Sequence, residues 1–170
     1  GEESNYEYDY LVIAAGSKPT FYGVPGVEEY AHKLWSYEDA ILLKDQILDS
    51  FRRASCMKDL KERKRLLTFY IIGAGFTGVE MAGELAEYVP ILCEKYEIDP
   101  EEITMAIVDQ LSRPIPSLPE KLSNKVTKRL GKMGVQLCLN TNVTQIGEDY
   151  IELTCNGKME KRAAGTVIWV

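Results

Sequence analysis

The sequence predicts an α/β fold, a parallel sheet into which a small antiparallel meander is inserted. Short apolar runs alternate with longer segments of helical periodicity, as in sheets whose strands are joined by helices. The apolar run before Gly73 passes without interruption into a glycine turn and a helix start. Three short strand-like runs, with an Asn156-Gly157 hairpin turn between the last two, predict the meander.

The N-terminal part predicts a strand, a turn and a capped helix. The apolar run Tyr8–Gly16 ends in small residues and reads as a short strand that needs partners. Val24-Pro25-Gly26 is a turn signal. Ser36 can cap the helix that follows, with Asp39 three positions on, and apolar residues then recur at helical spacing as far as Phe51.

A basic stretch runs from Arg52 to Arg65 and carries seven Lys or Arg residues against only Asp59 and Glu62. A phosphate or membrane contact is one interpretation. A solvated linker or helix end is favoured instead, because the stretch lacks the interleaved aromatic residues of a nucleic-acid surface.

The glycine turn carries the strongest chemical signal in the chain. Gly73 allows a tight turn at the strand end, Gly75 lets the backbone approach a pyrophosphate, and Gly78 lets the helix pack closely on the strand. Phosphates would then meet free N–H groups at the positive end of the helix. The context predicts a dinucleotide site, although an ordinary glycine turn before a buried helix remains an alternative.

The remaining elements complete a Rossmann-like parallel sheet. Asp99-Pro100 places an N-cap residue before a proline at the first helical position, so the acidic residues after it predict a short helical turn rather than a metal site. The predicted helices are Phe76–Tyr96 and Leu118–Lys132, and the predicted strands are Ile103–Asp109, Gly134–Leu139, Val143–Ile146, Tyr150–Cys155, Lys158–Arg162 and Thr166–Val170.

Two carboxylates are candidate site residues. Asp109 stands at the tip of the second strand, where an acidic residue accepts hydrogen bonds from the ribose hydroxyls and repels a 2′-phosphate. This predicts NADH as the nucleotide, although Arg113 could weaken the discrimination and Asp109 could be a simple turn residue. Glu80 is expected in the first helical turn, where the helix dipole favours a carboxylate whatever its function.

Composition excludes several classes of function. The 20 Lys and Arg against 26 Asp and Glu give a net charge of −6, which argues against a nucleic-acid partner. No apolar run approaches a membrane span, and the segment 1–4 lacks the pattern of a signal peptide. The four cysteines lie far apart without a Cys-x-x-Cys pair, which predicts reduced thiols in a cytoplasmic protein and no metal site.

With these elements in order, the chain resembles the type II NADH dehydrogenases, flavoproteins of the superfamily that includes the disulfide reductases. The resemblance covers nearly the whole sequence. The segments that carry it are Tyr8–Pro19, Gly26–Ala31, Gly73–Glu84, Ile98–Glu101, Gly134-Val135, Asn140–Val143 and Thr166–Trp169.

The resemblance implies an FAD-dependent NADH:quinone oxidoreductase, peripheral on the inner face of the membrane, and it leaves a homodimer open. By this likeness the segment 73–78 binds NADH rather than FAD, with Phe76 and Thr77 at the nucleotide. Glu80 would reach the contact region of nicotinamide and flavin, as the candidate catalytic residue, and Val143 would pack near the adenine. Another reductase of the superfamily, acting on ferredoxin or a disulfide, and a non-catalytic NAD(H)-sensing module are the alternatives.

The departures from the family pattern predict a fragment. The first glycine turn for FAD is absent, and the sequence stops at Val170, before the family's second small-residue turn, its flavin-binding motif and its C-terminal membrane-attaching region. We therefore expect residues 1–35 to be a piece of the FAD-binding domain with its connection, and residues 36–170 to be the NADH-binding domain, truncated at the last strand. Such a chain should bind NADH without turning it over, and its membrane contact would lie in the missing regions.

Overall fold

The structure is a computed structural model, and it describes residues 4–170. Most of the segment on which the signal-peptide expectation rests lies outside the described residues. The helices are α1 (Val27–Tyr30), α2 (Tyr37–Cys56), α3 (Leu60–Leu66), α4 (Phe76–Tyr96) and α5 (Glu120–Lys132), with a short 3₁₀ turn at Pro100–Glu102. The strands are β1 (His32–Lys33), β2 (Thr68–Ile72), β3 (Thr104–Val108), β4 (Val135–Cys138), β5 (Thr141–Ile146), β6 (Tyr150–Cys155), β7 (Lys158–Ala163) and β8 (Thr166–Trp169).

The predicted parallel sheet is confirmed. Its five strands are all parallel and lie in the order β1-β8-β2-β3-β4. From β2 the chain proceeds through β3 to β4 on one side, whereas β8 lies on the other side. The sheet therefore has its switch point between β2 and β8, and open α/β sheets bind ligands at the carboxyl ends of the strands beside such a point.

The antiparallel meander is also confirmed. Strands β5, β6 and β7 form a separate three-stranded sheet between β4 and β8 in the sequence. Asn156 and Gly157 both have positive φ, 50° and 74°, which is the backbone of a type I′ hairpin turn.

Alternation along the central strands divides the core between two faces of the parallel sheet. Phe69 and Ile71 of β2 belong to the cluster that includes the apolar faces of α2 and α4. Tyr70 and Ile72 belong to a second cluster, which includes α1 and the meander. The side-chain period of two in a strand thus builds three layers, with helices, parallel sheet and meander stacked in that order.

The helix signals of the sequence are confirmed at α2 and α4. Ser36 Oγ accepts a hydrogen bond from the Asp39 N–H at 3.1 Å, and the Asp39 carboxylate accepts one from the Ser36 N–H at 2.9 Å. The expected capping box is therefore formed. Helix α4 has the predicted bounds and continues through Pro90.

The predicted strand at Tyr8–Gly16 is wrong for this structure. The segment has neither helix nor strand and is exposed, with Val12 85% accessible. A strand is stabilised by its neighbours, and nothing in the described part of the chain pairs with this segment. The sequence prediction missed the short strand β1, which joins the edge of the sheet by pairing with β8. The domain division at residue 35 remains a prediction.

The basic stretch forms the end of α2 and the short helix α3, as the favoured interpretation required. Its arginines pair with acidic residues of their own surroundings: Arg65 bonds Glu62, and Arg63 bonds Glu102 through two nitrogens at 2.5 and 2.7 Å. The Arg63–Glu102 pair joins α3 to the 3₁₀ turn before β3, whereas the Arg65–Glu62 pair lies within α3. None of the helices within residues 4–170 combines the length and the apolar composition needed to cross a membrane.

Candidate functional site

A cleft of about 350 Å³ opens at the carboxyl ends of β2, β3 and β8, beside the start of β5. This is where the strand order predicts a ligand site. The residues that line it are Tyr22, Val24, Ile72, Gly73, Val108, Asp109, Gln110, Leu111, Thr141, Asn142, Val143, Trp169 and Val170.

The three glycines of the turn differ in what the protein itself requires of them. Gly73 has φ of +113°, and Gly78 is buried so closely against the turn that an added Cβ would overlap the carbonyl oxygen of Gly73. Gly75, in contrast, has an ordinary φ of −71°, and a Cβ there would meet open space. Folding explains Gly73 and Gly78, whereas no contact among residues 4–170 explains the absence of a side chain at Gly75.

Helix α4 begins at this turn without a side-chain cap. Its N-cap residue is Gly75, and its first turn, Phe76 to Val79, carries no charge. The first N–H groups of a helix have no partner within the helix and form its positive end. The beginning of α4 therefore presents backbone N–H donors without a side-chain cap beside the cleft.

Asp109 connects the end of β3 to the glycine turn. One carboxylate oxygen accepts a hydrogen bond from the Ala74 N–H at 2.6 Å, and the other accepts one from the Leu111 N–H at 2.7 Å. A carboxylate has about four acceptor positions, so two remain for groups that enter the cleft. Asp109 thus both fixes the turn and lines the cleft.

The loop after Asp109 fixes the same turn from a second side. Ile115 is buried and has φ of +45°, a conformation in which a β-branched residue is strained. Its N–H donates to the Ala74 carbonyl at 2.8 Å. Both backbone polar groups of Ala74 are therefore bound by the segment 109–115. Sequence reasoning missed this contact, for which the prolines on both sides of Ile115 were the only signal.

The structure brings three of the predicted site residues, Gly73, Asp109 and Val143, to the walls of one cleft. Gly75, Phe76 and Thr77 are exposed at the start of α4, and Gly78 lies buried behind them.

Glu80 is exposed, and its expected position in the first turn of the helix is wrong. Because α4 starts at Phe76, Glu80 is its fifth residue, one turn further from the positive end. The effect of the helix dipole weakens beyond the first turn, so the dipole stabilises the Glu80 carboxylate less than it would stabilise one in the first turn.

No local sequence pattern predicted that the segment 20–24, before α1, would form a wall of the cleft. Tyr22 and Val24 line the cleft, and Trp169 at the end of β8 holds this segment by donating its indole N–H to the Thr20 carbonyl at 3.0 Å. Phe21 packs edge-on against the same indole, with ring centroids 6.4 Å apart. A contact between residues so distant in sequence leaves no local pattern.

The side chains that line the cleft carry little charge. Asp109 is the single ionic side chain among the described residues that line it. Arg113, the nearby cation noted in the sequence, donates to the carbonyls of Pro116 and Leu118 within its own loop, at 2.7 and 3.1 Å.

A parallel sheet with a glycine turn, an uncapped helix start and an acidic residue at the neighbouring strand end is the arrangement typical of dinucleotide-binding α/β folds. Comparison with known families makes this more specific. The whole chain, residues 1–170, matches the model of the pyridine nucleotide-disulphide oxidoreductase family. The chain belongs to this family, in agreement with the resemblance found in the sequence.

Individual relatives agree with this assignment. The chain is 31% identical over 164 residues to a type II NADH:quinone oxidoreductase of Staphylococcus haemolyticus, covering 96% of this chain and 40% of that protein. It is 31% identical over 172 residues to the mitochondrial external alternative NAD(P)H-ubiquinone oxidoreductase B2 of Arabidopsis thaliana, covering 99% of this chain and 29% of the relative.

Among solved structures, NDH2 from Plasmodium falciparum in complex with NADH superposes with a TM-score of 0.88 at 22% identity, over 96% of this chain and 34% of that one. This likeness confirms the predicted fold. The chain thus spans between 29% and 40% of the length of these three relatives.

Proposed function

We propose that this chain is the nucleotide-binding part of an FAD-dependent NADH:quinone oxidoreductase, and that it presents NADH for hydride transfer to FAD. The observation that carries the proposal is the uncapped start of α4 beside a cleft whose one ionic side chain is Asp109. The relatives named NADH:quinone and NAD(P)H-ubiquinone oxidoreductases support the reaction class.

The glycine turn fits a pyrophosphate. The open space around Gly75 leaves room for phosphate oxygens to approach the backbone, and the N–H groups at the start of α4 would donate to them. Phe76 and Thr77 would stand beside the phosphates. Asp109 and Ile115 would hold the turn in this shape before the nucleotide arrives, through their bonds to Ala74.

The cleft favours NADH over NADPH. The free acceptor positions of Asp109 would bind the ribose hydroxyls, and its charge would repel a 2′-phosphate. Arg113 is tied to its own loop, and the described lining offers no cation that would compensate. The relatives' names include both NADH and NAD(P)H, so the nucleotide preference rests on the cleft rather than on similarity.

The remaining candidate residues would contact the two ends of the nucleotide. Val143 lines the cleft at the start of the meander, where it would pack against the adenine. Glu80 is exposed on α4, and we assign it to the region where nicotinamide meets flavin, as the resemblance implies. When bound, FAD supplies the hydride-accepting chemistry, and the part of this chain is to bind and orient the nicotinamide nucleotide.

The segment 1–35 is proposed as a piece of the FAD-binding domain with its connection. Its apolar residues from Leu11 to Ile13 are exposed, as expected for a segment that packs against the rest of a longer protein. The quinone site, a place in a respiratory chain and attachment to the inner face of the membrane would then be properties of that longer protein. The relatives do not favour a ferredoxin reductase, a disulfide reductase or a sensor module.

Titration of tryptophan fluorescence with NADH and NADPH tests the proposal, because Trp169 lines the cleft. We expect NADH to bind about tenfold more tightly than NADPH or better, a difference of about 1.4 kcal/mol. In Asp109→Asn the preference should shrink, because the repelling charge is gone. Comparable affinities in the wild-type chain would contradict the role of Asp109, and a chain that binds neither nucleotide would contradict the proposal as a whole.

A further inference from the structure

Tyr22 occupies a backbone position that is unfavourable for tyrosine. The Val24 N–H donates to the Phe21 carbonyl at 3.0 Å, which closes a four-residue turn with Tyr22 and Gly23 at its centre. Both central residues have positive φ, 51° and 70°, as in a type I′ turn. The first central position of such a turn normally holds Asn, Asp or Gly, because a bulky side chain is strained there.

The Tyr22 side chain contributes little to the stability of the fold. The side chain of Tyr22 is 81% exposed, so its ring contributes little to the core. The two neighbours differ from it: Phe21 packs on Trp169, and Val24 is partly buried against the cluster that includes α1. Residues with a strained backbone conformation are concentrated at functional sites.

The turn holds Tyr22 at the wall of the cleft. Trp169 fixes the turn to the end of β8 through its bond to the Thr20 carbonyl. Tyr22 lines the same cleft as Asp109 and Val143. An aromatic ring on a fixed turn can pack on a planar group of a ligand with little loss of conformational entropy.

We propose that Tyr22 is a nucleotide-positioning residue, whose ring packs on the dinucleotide bound in the cleft that Tyr22 and Gly73 both line. This inference rests on the proposed function and extends it by adding a contact from the segment before α1. The strained turn is then maintained because it presents the ring to the ligand.

Three variants of the 170-residue chain test this inference: Tyr22→Gly, Tyr22→Asn and Tyr22→Phe. Gly and Asn both tolerate the left-handed backbone, so both should raise the thermal midpoint while weakening NADH binding about five- to tenfold, the loss expected for one aromatic contact. Tyr22→Phe keeps the ring and should leave the affinity within about twofold of the wild type. Calorimetric titration with NADH and thermal unfolding are the measurements.

The outcomes are distinct. Affinity unchanged in Tyr22→Gly and Tyr22→Asn, with the wild-type chain binding NADH, would overturn the role of Tyr22 and leave the proposed function intact. A thermal midpoint that falls together with the affinity would show that Tyr22 only supports the fold, and would also overturn it. If the wild-type chain binds no NADH, the proposed function and this inference both fail.

Discussion

Helices α2 and α4 begin in opposite ways. At α2, Ser36 and Asp39 satisfy the helix start reciprocally, and Glu38 adds negative charge to the first turn. At α4, the N-cap residue is Gly75 and the first turn is uncharged. The N–H groups at the start of α2 are capped by neighbouring side chains. At the start of α4 they have no side-chain cap and can donate to an anion. Of these two helix starts, the one without a side-chain cap lies beside the cleft.

The largest expected effect comes from moving the start of α4 away from the turn. In Gly78→Ala the new methyl group would overlap the Gly73 carbonyl, and we expect a loss of about 3 kcal/mol in the free energy of unfolding together with loss of NADH binding. Gly83→Ala is the matched control, because it adds the same methyl group to open space in the same helix. It should stabilise the chain by up to about 1 kcal/mol and leave binding unchanged.

Urea unfolding and NADH titration of both variants are the measurements. Equal stability of Gly78→Ala and Gly83→Ala would mean that the close approach of α4 to the turn has no energetic importance.

The next largest effect is expected when a side-chain cap is added to the start of α4. Gly75→Asp would give α4 a side-chain cap, which we expect to raise the free energy of unfolding by a few tenths of a kcal/mol. The same carboxylate would occupy the donors and repel a pyrophosphate, so the affinity for NADH should fall about tenfold or more. The control Ser36→Gly uncaps α2, and it should lower stability slightly without changing the affinity. Unchanged NADH binding by Gly75→Asp would remove α4 from the site.

The smallest expected effect is the pH dependence of stability that Asp39 causes at the capped start of α2. The hydrogen bond from the Ser36 N–H holds the pKa of Asp39 below its ordinary value. The Ser36 side chain and the charge of Lys33 lower this pKa further. A carboxyl group whose pKa is lower in the folded state stabilises the fold above its unfolded pKa, about 3.9, and loses this contribution as the pH falls through the folded pKa. Wild type and Asp39→Asn should therefore converge in stability as the pH falls below about 4.

Chemical unfolding of both chains between about pH 2 and 7 measures this difference, with NADH binding at neutral pH expected to be equal. A stability difference that stays constant across the range would show that the Asp39 charge does not stabilise α2.

Local signals predicted much of this fold. The capping box at Ser36, the bounds of α4 and the Asn156-Gly157 hairpin each depend on residues a few positions apart, and all three are confirmed. Long-range pairing limited the prediction elsewhere. The strand expected at Tyr8–Gly16 has no sheet to join in the described residues, and β1 exists only because β8, at the other end of the chain, pairs with it.

The candidate site divides in the same way. The glycine turn and Asp109 were predictable because a fixed spacing and the end of a strand define them. The bonds that join Asp109 and Ile115 to Ala74, and the wall formed by Tyr22, arise from segments that meet only in the folded chain. The sequence therefore predicted the glycine turn and Asp109. The structure was needed to find Tyr22 at the cleft and the hydrogen bonds that hold Ala74.

The most direct test of the central claim is a titration of isotope-labelled chain with NADH, followed by backbone amide NMR. We predict that the amide signals of Gly75, Phe76 and Thr77 shift on binding, while those of Tyr37, Glu38 and Asp39 at the start of α2 stay in place. Shifts confined to α2, or binding that leaves the start of α4 unperturbed, would contradict the account.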